Sequence, residues 1–351
     1  MLGREMIADF LKDEGVDAAF LQKDENCRYI SGFTGSESFL ILSQEDVYLL
    51  TDSRYTAQAL AEAPNFKIVD HKGKPAETAA AIFNKIRAKK IGIESVMTHQ
   101  FYLALQEVFP GSEFVFCNPD RLRQVKTKTE ISCIAEACRI ADDAFKKILP
   151  LISVGRKESE LRAALECAML EGGSSGKSFD TIVASGEHGA YPHATVTDKA
   201  IEDGEMITFD FGAMYKGYHS DMTRTVAVGY VSERQRFLYD SIYDCVAHVE
   251  AVLKAGCSGC EMDALAREFL KERELSAYFS HALGHSVGLE IHEKPVLAAR
   301  DRTVLTENIV ITVEPGVYIP GTGGVRIEDT TVIHTDGISV LTKFPKEFIQ
   351  L

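Results

Sequence analysis

Two segments of the chain, residues 130–229 and 233–334, repeat one pattern of helix, helix and antiparallel strands. Four matching pairs of features lie 101 to 107 residues apart. They are helix 130–149 with helix 233–254, Gly155 with Gly256, "FDFG" (209–212) with "VEPG" (313–316), and strand 218–228 with strand 325–333. Two such halves that face each other form a cleft with pseudo-twofold symmetry, so the repeat predicts a functional cleft between them.

Residues 1–120 follow a different pattern, in which short apolar strands alternate with helices. The strand candidates are "VDAAFL", "SFLILS", "DVYLLTD", "FKIVD", "KIGIES" and "EFVFC", and "AETAAAIFNKIRAKK" is typical of a helix between them. This alternation predicts a three-layer domain of the α/β class. The basic segment "RLRQVKTKTE" (121–130) marks a joint, so the expected domains are residues 1–122 and 123–351 of an α/β (α+β) chain.

The net charge of −14 limits the partners of this 351-residue chain. An acidic surface repels nucleic acid and anionic lipid, and it favours the uptake of cations. A run of about 18 apolar residues is absent, and the N-terminus lacks the apolar stretch of a signal peptide. The eight scattered cysteines are therefore interpreted as reduced thiols of a cytoplasmic protein, and Cys257-Ser-Gly-Cys260 as a loop before a helix.

Two aspartates lie on neighbouring apolar strands, 206–213 and 218–228, which form a hairpin. Asp210 and Asp221 are expected opposite or diagonal to each other, with Cβ atoms about 5 Å apart, where two negative charges destabilise a sheet. Such a pair needs a cation or a shared proton between its carboxylates, unless one aspartate points to solvent.

The second repeat carries two further acids at equivalent positions. Glu314 ends the apolar strand "IVITVEPG", and Glu328 is expected inside the strand "GVRIEDTTVI", on the same face as Arg326 and Thr330. Charged groups on buried strands are costly unless they are paired or bound to metal. Four convergent carboxylates suit manganese, magnesium or calcium, and an added imidazole shifts the preference toward manganese, cobalt, iron or zinc.

Three of the ten histidines fall within twelve residues, at His281, His285 and His292. The i, i+4 spacing of the first two does not indicate a helical zinc motif, because "ALG" separates them and glycines discourage a helix. Packed core histidines, a metal site and acid–base groups are all compatible with one such residue. Three together, with His193 as a fourth candidate, favour one metal ligand surrounded by hydrogen-bond donors for a reacting carbonyl.

The residues quoted so far closely resemble one family. "LRQVKTKTEIS", "FDFG…HSDMTRT", "HALGHSVGLEIHE", "ITVEPGVYIP" and "GVRIED" are similar in order and spacing to the proline-specific peptidases of the pita-bread metallopeptidase fold, aminopeptidase P and prolidase. "YISGFTGS" and "LLTDSRYTAQA" resemble the creatinase-type N-terminal domain of the same group. The resemblance covers essentially the whole chain and implies a creatinase-like domain followed by a catalytic pita-bread domain.

The resemblance also implies a site. Its five metal ligands fall on Asp210, Asp221, His285, Glu314 and Glu328, which would hold two divalent ions, manganese in the first instance and cobalt or zinc as alternatives. A hydroxide that bridges the ions would attack the carbonyl before proline, while Glu314 shuttles a proton to the proline nitrogen. His292 and His193 would donate to the oxyanion, His281 would face the proline, and Arg326 would brace a metal-binding carboxylate, with Thr223 in a similar role. Tyr318 is either part of this site or a packed aromatic beside a turn.

The activity that the resemblance implies is hydrolysis of short peptides with proline at the second position. Our first expectation is an Xaa-Pro aminopeptidase, and the alternative is an Xaa-Pro dipeptidase (prolidase). The two differ in whether a positive group captures the substrate carboxylate one residue past the bond. A metal-free binding protein with the same fold is a third, less favoured, hypothesis. Because members of the family commonly form homodimers, the resemblance also implies a homodimer.

Overall fold

In the computed structural model, which describes residues 3–351, the chain divides into two units, the first ending at Arg123 and the second beginning at Gln124. This division lies one residue from the boundary expected from the sequence. None of the helices among the described residues is long and apolar enough to cross a membrane.

One mixed sheet forms the middle of the N-terminal unit. Its strands are β1 Ala18–Leu21, β2 Phe39–Ser43, β3 Val47–Thr51, β4 Lys67–Asp70, β5 Lys90–Ile93 and β6 Glu113–Phe116, and the helices of this unit are α1 Arg4–Glu14, α2 Asp24–Ser31, α3 Thr56–Glu62, α4 Pro75–Ile86 and α5 His99–Val108. The strand order is β4-β3-β2-β1-β5-β6, with β2 antiparallel to both neighbours and the other pairs parallel.

Both faces of this sheet are covered, as the apolar runs predicted. Along β1, Ala18 and Phe20 pack with α4 and α5, whereas Ala19 and Leu21 pack with α1, α2 and α3. Successive strand residues point to opposite faces, so a strand without polar positions must be buried on both sides. The three-layer α/β expectation is therefore confirmed.

The C-terminal unit consists of two similar halves. The first contains α6 Lys128–Ile148, α7 Glu158–Glu171, β7 Ile182–Ser185, β8 Glu205–Phe211, β9 Met214–Tyr215, β10 Tyr218–His219 and β11 Met222–Val228. The second contains α8 Glu233–Glu250, α9 Gly259–Lys271, β12 Gly284–Ser286, β13 Glu293–Leu297, β14 Val310–Val313, β15 Gly316–Ile319, β16 Gly323–Arg326, β17 Asp329–Ile333 and β18 Ile338–Val340. Short 3₁₀ helices at Pro119–Arg123, Leu149–Leu151, Gly186–Ala190 and Ser276–Tyr278 complete the chain.

Each half begins at the same kind of helix signal. Thr127 and Glu130 form a reciprocal capping box at the start of α6, and Ser232 and Gln235 form one at the start of α8. Each box satisfies backbone N–H groups that the first helical turn leaves without a partner. The first half then builds the sheet β11-β8-β7, and the second builds β13-β12-β14-β17-β18.

The long strands expected over 218–228 and 325–333 are each divided in two. The first is divided between β10 and β11, next to Asp221, and the second between β16 and β17, next to Glu328. At these points the backbone bonds to the other half: the Glu328 N–H donates to the Thr223 carbonyl at 3.1 Å, and the Thr330 hydroxyl donates to the Asp221 carbonyl at 2.8 Å. The breaks therefore occur where the two halves join.

Arg224 strengthens this junction from within the protein. Its guanidinium is 2% exposed, pairs with Asp329 at 2.7 Å and donates to the carbonyls of Thr223, Glu328 and Phe344. Asp329 follows Glu328 directly, so this one side chain ties β11, the start of β17 and the C-terminal segment together.

We expect Arg224→Met to lower the free energy of unfolding by about 3 kcal/mol, because it removes the buried cation and leaves Asp329 with weaker compensation. Urea unfolding of the purified protein measures this change. Arg236→Met is a matched control, since Arg236 is 52% exposed and pairs with Asp240 on the surface of α8. Equal midpoints for the two variants would contradict the junction role.

Candidate active site

One cavity of about 710 Å³ opens in the C-terminal unit. Nine of the side chains that the sequence singled out line it: Asp210, Asp221, His285, Glu314, Glu328, His193, His281, His292 and Arg326. The other two candidates, Thr223 and Tyr318, lie behind them and are hydrogen-bonded to Arg326. They come from strands, strand ends and loops of both halves of the repeat. The cleft predicted from the repeat is thus present, and the candidate residues converge in it.

The strand register brings the two aspartates together. Asp210 on β8 pairs with Thr223 on β11, and Asp221 lies two residues before Thr223, diagonally across the ladder from Asp210. Glu314 directly follows β14, and Glu328 stands in the break before β17 rather than inside a strand. Glu328 instead accepts a hydrogen bond from the Thr223 hydroxyl at 2.8 Å.

The acids of the two halves meet around His285. Ligand atoms of Asp221, His285 and Glu328 lie within 4.8 Å of one another. The His285 Nε2 atom is 3.4 Å from an oxygen of Asp221 and 3.4 Å from an oxygen of Glu314. Burial, and then the neighbouring carboxylates, raise the pKa of Asp221 and of Glu328 well above its ordinary value.

The donor set fits a divalent cation. One buried oxygen each of Asp210, Asp221 and Glu328 has no hydrogen-bond partner, which is costly for a protein unless another group binds it. His285 Nδ1 lies 3.2 Å from the Ser286 carbonyl, so the network assigns the proton to Nδ1 and leaves the Nε2 lone pair facing the acids. A second partner that fixes the tautomer in this way is typical of a metal-binding histidine.

A close backbone approach places His285. A Cβ atom on Gly284 would lie 2.1 Å from the Thr312 carbonyl oxygen, so only glycine lets β12 come this near to β14. The Thr312 hydroxyl then accepts from the His285 N–H at 3.0 Å and donates to Glu314 at 3.2 Å. Close packing of β12 against β14 therefore explains why a glycine precedes His285.

Arg326 begins a chain of hydrogen bonds that ends at His281. It donates to Asp210 at 2.5 Å and to the Tyr318 hydroxyl at 2.6 Å. Burial, followed by the charge of Arg326, lowers the pKa of His281 to about 4, so its ring is neutral. Nδ1 donates to the Ala282 carbonyl at 2.8 Å, and Nε2 accepts from Tyr318 at 2.8 Å. Tyr318 is therefore part of the site, and the carboxylate that Arg326 braces is Asp210.

The His281 segment is also held by a side chain of α9, and the sequence analysis did not predict this contact. Arg267 pairs with the fully buried Asp263 at 2.7 Å and donates to the carbonyls of Phe279 and His281. Asp263 and Arg267 have the i, i+4 spacing of an ordinary ion pair on a helix surface. The sequence alone therefore does not show that this pair supports the site.

Glu158 is a second residue that supports the site and that the sequence analysis did not identify. Glu158, at the start of α7, is fully buried and accepts hydrogen bonds from the backbone and the hydroxyl of both Ser185 and Thr197. His188 Nδ1 lies 3.0 Å from both of its oxygens. The segment between Ser185 and Thr197 carries His193, so Glu158 fixes the wall of the cavity that presents this imidazole.

His292 and Glu293 follow His285 along the chain and have different surroundings. The His292 ring lies 4.3 Å from the His285 ring, between centroids, at the edge of the acid cluster. The spacing of Glu293 places it on neither acidic hairpin, which favours either a solvated carboxylate or one that supports the site. In the structure Glu293 is buried and pairs with Lys126 at 2.8 Å. Lys126 is also buried, so this pair lies away from solvent and the solvated interpretation is wrong.

Comparison with known proteins matches both units to described families. Residues 132–335 match Metallopeptidase family M24, and residues 4–125 match the Creatinase/Prolidase N-terminal domain. The structure of an Xaa-Pro dipeptidase from Bacillus anthracis is 40% identical, with a TM-score of 0.97 over 99% of each chain. The X-Pro aminopeptidase structure from Thermotoga maritima is 34% identical, with a TM-score of 0.91 over 100% of each chain. The Xaa-Pro dipeptidase of Pyrococcus furiosus is 37% identical over 98% of this chain and 99% of its own.

The paired halves, the buried acids and the single facing imidazole define a metallo-exopeptidase, a hydrolase with the pita-bread fold. This chain belongs to metallopeptidase family M24 and carries the creatinase-type N-terminal domain. Membership of this family implies divalent metal ions, and the buried cluster of Asp221, His285 and Glu328 is a candidate site for them.

We expect Glu158→Gln to lower the free energy of unfolding at pH 7 by about 2 kcal/mol, because it removes a buried, charged acceptor. Burial alone would raise the pKa of Glu158, but the hydrogen bonds from His188, Thr197 and Ser185 hold it below 4.5. The contribution of Glu158 is therefore present above pH 4.5 and is lost as the pH falls through the lowered pKa.

Chemical unfolding at pH 7 and at pH 3.5 to 4 tests this, with the difference between wild type and variant shrinking in acid. Glu171→Gln, at the exposed end of the same helix, is the control. A difference that stays constant with pH would contradict the role of the ionised carboxylate.

Proposed function

We propose that this chain is an Xaa-Pro dipeptidase, which hydrolyses the bond between the first residue and proline. Similarity over nearly the full chain to the two Xaa-Pro dipeptidases named above carries this proposal. It replaces our first expectation, an aminopeptidase, with the alternative, because the dipeptidases are the more similar relatives. Substrates would be short peptides with proline second, and residues 123–351 would form the catalytic domain.

We assign metal binding to Asp210, Asp221, His285, Glu314 and Glu328. The partnerless oxygens of Asp210, Asp221 and Glu328 support this assignment, as does the Nε2 lone pair of His285, which faces Asp221 and Glu314. Four carboxylates offer more oxygens than one octahedral ion accepts, which favours two ions. The mixture of carboxylates with one imidazole favours manganese, with cobalt or zinc as alternatives.

When bound, divalent ions act as Lewis acids toward the scissile carbonyl and lower the pKa of water. The side chains of this protein would do the rest. Glu314 would take the proton from the attacking water and deliver it to the proline nitrogen as the C–N bond breaks. His193 and His292 would donate to the carbonyl oxygen as negative charge develops on it.

His281, on the wall that would face proline, would not donate a hydrogen bond to the substrate. Both nitrogens of His281 are already in hydrogen bonds, to Ala282 and Tyr318, so the ring has no free N–H to offer. Its fixed, neutral edge would pack against the proline ring. A proline nitrogen in a peptide bond carries no N–H, so a site for it needs shape complementarity where other sites use a hydrogen bond.

An Xaa-Pro aminopeptidase is the second candidate, favoured by the full-length similarity to the Thermotoga maritima structure. Both candidates share the chemistry of bond cleavage. They differ in whether the substrate may extend beyond proline.

We expect Asp221→Asn to have opposite effects on the metal-free and the metal-loaded protein. Without metal, the variant removes one of several repelling buried charges and raises the free energy of unfolding by about 1–3 kcal/mol. With metal, it removes a ligand, so the rise in melting temperature on adding manganese becomes smaller.

Thermal unfolding of chelator-treated protein, with and without manganese, measures both effects. The exposed Asp336→Asn serves as the control for loss of a charge. A variant that is less stable without metal and keeps the full manganese effect would remove Asp221 from the ligand set.

A substrate panel tests the activity itself. We expect the manganese-loaded protein to cleave Ala-Pro, to cleave Ala-Pro-Ala at least about a hundredfold more slowly, and to leave Ala-Ala intact. Glu314→Gln should lower kcat by a factor of about 10²–10⁴, as loss of a general acid–base group does. Equal cleavage of the dipeptide and the tripeptide would favour the aminopeptidase, and full activity of Glu314→Gln would overturn the mechanism.

A further inference from the structure

The cavity holds a cationic side chain for which the proposed chemistry has no use. Among the described residues, two arginines and no lysine line the cavity, Arg162 and Arg326. Arg162 lies in the first turns of α7 and is partly buried, next to the fully buried Leu161. The helix thus presents the guanidinium at the cavity wall, on the side formed by the first half of the repeat.

Arg326 is not available to a substrate. Its guanidinium donates to Asp210, Thr223, the Pro192 carbonyl and Tyr318. A ligand that recruited it would break the chain of hydrogen bonds that holds Asp210 and His281 in place.

Arg162, by contrast, makes no hydrogen bond and no ion pair within residues 3–351, and its buried Nε atom has no partner. The acid beside it, Asp180, is bound by Lys177 at 2.8 Å. That hydrogen bond lowers the pKa of Asp180 first, and the charge of Arg162 contributes further. The guanidinium therefore keeps its fork of N–H donors free at the cavity wall.

We propose that Arg162 binds a carboxylate group of the substrate. A guanidinium matches a carboxylate with two parallel hydrogen bonds, and four acids elsewhere in the cavity repel any anion that lacks such a partner. Arg162 thus orients the substrate in the cavity, with its carboxylate toward α7 and its scissile amide toward the acid cluster. The inference depends on the proposed peptidase function and adds a specificity residue to it.

Two groups of an Xaa-Pro peptide carry this chemistry. One is the free C-terminal carboxylate of the dipeptide, and the other is the side chain of an acidic first residue. Two pairs of substrates separate them: Ala-Pro against Ala-Pro-amide for the terminus, and Glu-Pro against Gln-Pro for the side chain.

We expect the manganese-loaded wild type to prefer the carboxylate member of one pair, and Arg162→Met to abolish that preference. The loss should appear as an increase in KM of about 10- to 100-fold for the preferred substrate, the usual effect of losing hydrogen bonds to a charged group. The kcat value should change little, and Arg162→Lys should restore part of the preference.

Arg156→Met is the matched control, because Arg156 lies just before the same helix, is 41% exposed and pairs with Glu160. Its substrate preferences should equal those of the wild type. The inference is overturned if Arg162→Met keeps both preferences of a folded protein, or if the wild type has neither. Failure of the proposed function looks different, since the wild type would then cleave none of the four substrates.

Discussion

Repulsion among four carboxylates, two of them buried and two half-buried, is the constraint around which the C-terminal unit is organised. Two unit charges about 4 Å apart repel by about 4 kcal/mol at an effective dielectric constant of about 20. In this cluster, ligand atoms of Asp221 and Glu328 lie within 4.8 Å of each other. A domain is stable by only about 5–15 kcal/mol, so it must protonate these acids or bind cations between them. Divalent cations resolve the conflict and at the same time supply the chemistry of the family.

The scaffold holds these acids together through hydrogen bonds that join the two halves next to the second acid of each hairpin. Asp221 and Glu328 stand at strand breaks whose backbone groups bond to the opposite half. Arg224 closes the same junction from the buried side through Asp329. The acids therefore occupy positions that the sheet hydrogen bonds fix, and a side-chain adjustment alone cannot separate them.

The sequence indicated which acids would converge, because a charged residue on an apolar strand is conspicuous and the repeat places two such residues in each half. It could not predict the roles of Glu158 and Arg267. The partners of Glu158 lie tens of residues away along the chain, and Arg267 donates to backbone carbonyls, which every residue type carries. It misplaced Glu328 inside a strand, since an apolar run does not show where a chain leaves one sheet for a contact with another. The solvated alternative for Glu293 was wrong for a related reason, because its partner, Lys126, is 167 residues away.

The pseudo-symmetry of the fold does not extend to the chemistry of the cavity walls. Asp263 on α9 lies 101 residues after Arg162 on α7, the same interval that separates Gly155 from Gly256. On α9 the acid is neutralised by Arg267, which in turn donates to the backbone carbonyl of His281. On α7 the arginine has no partner and faces the cavity. One repeated helix therefore supports a wall that carries a neutral imidazole, and the other presents a cation to the same cavity, although the two helices occupy equivalent places in the repeat.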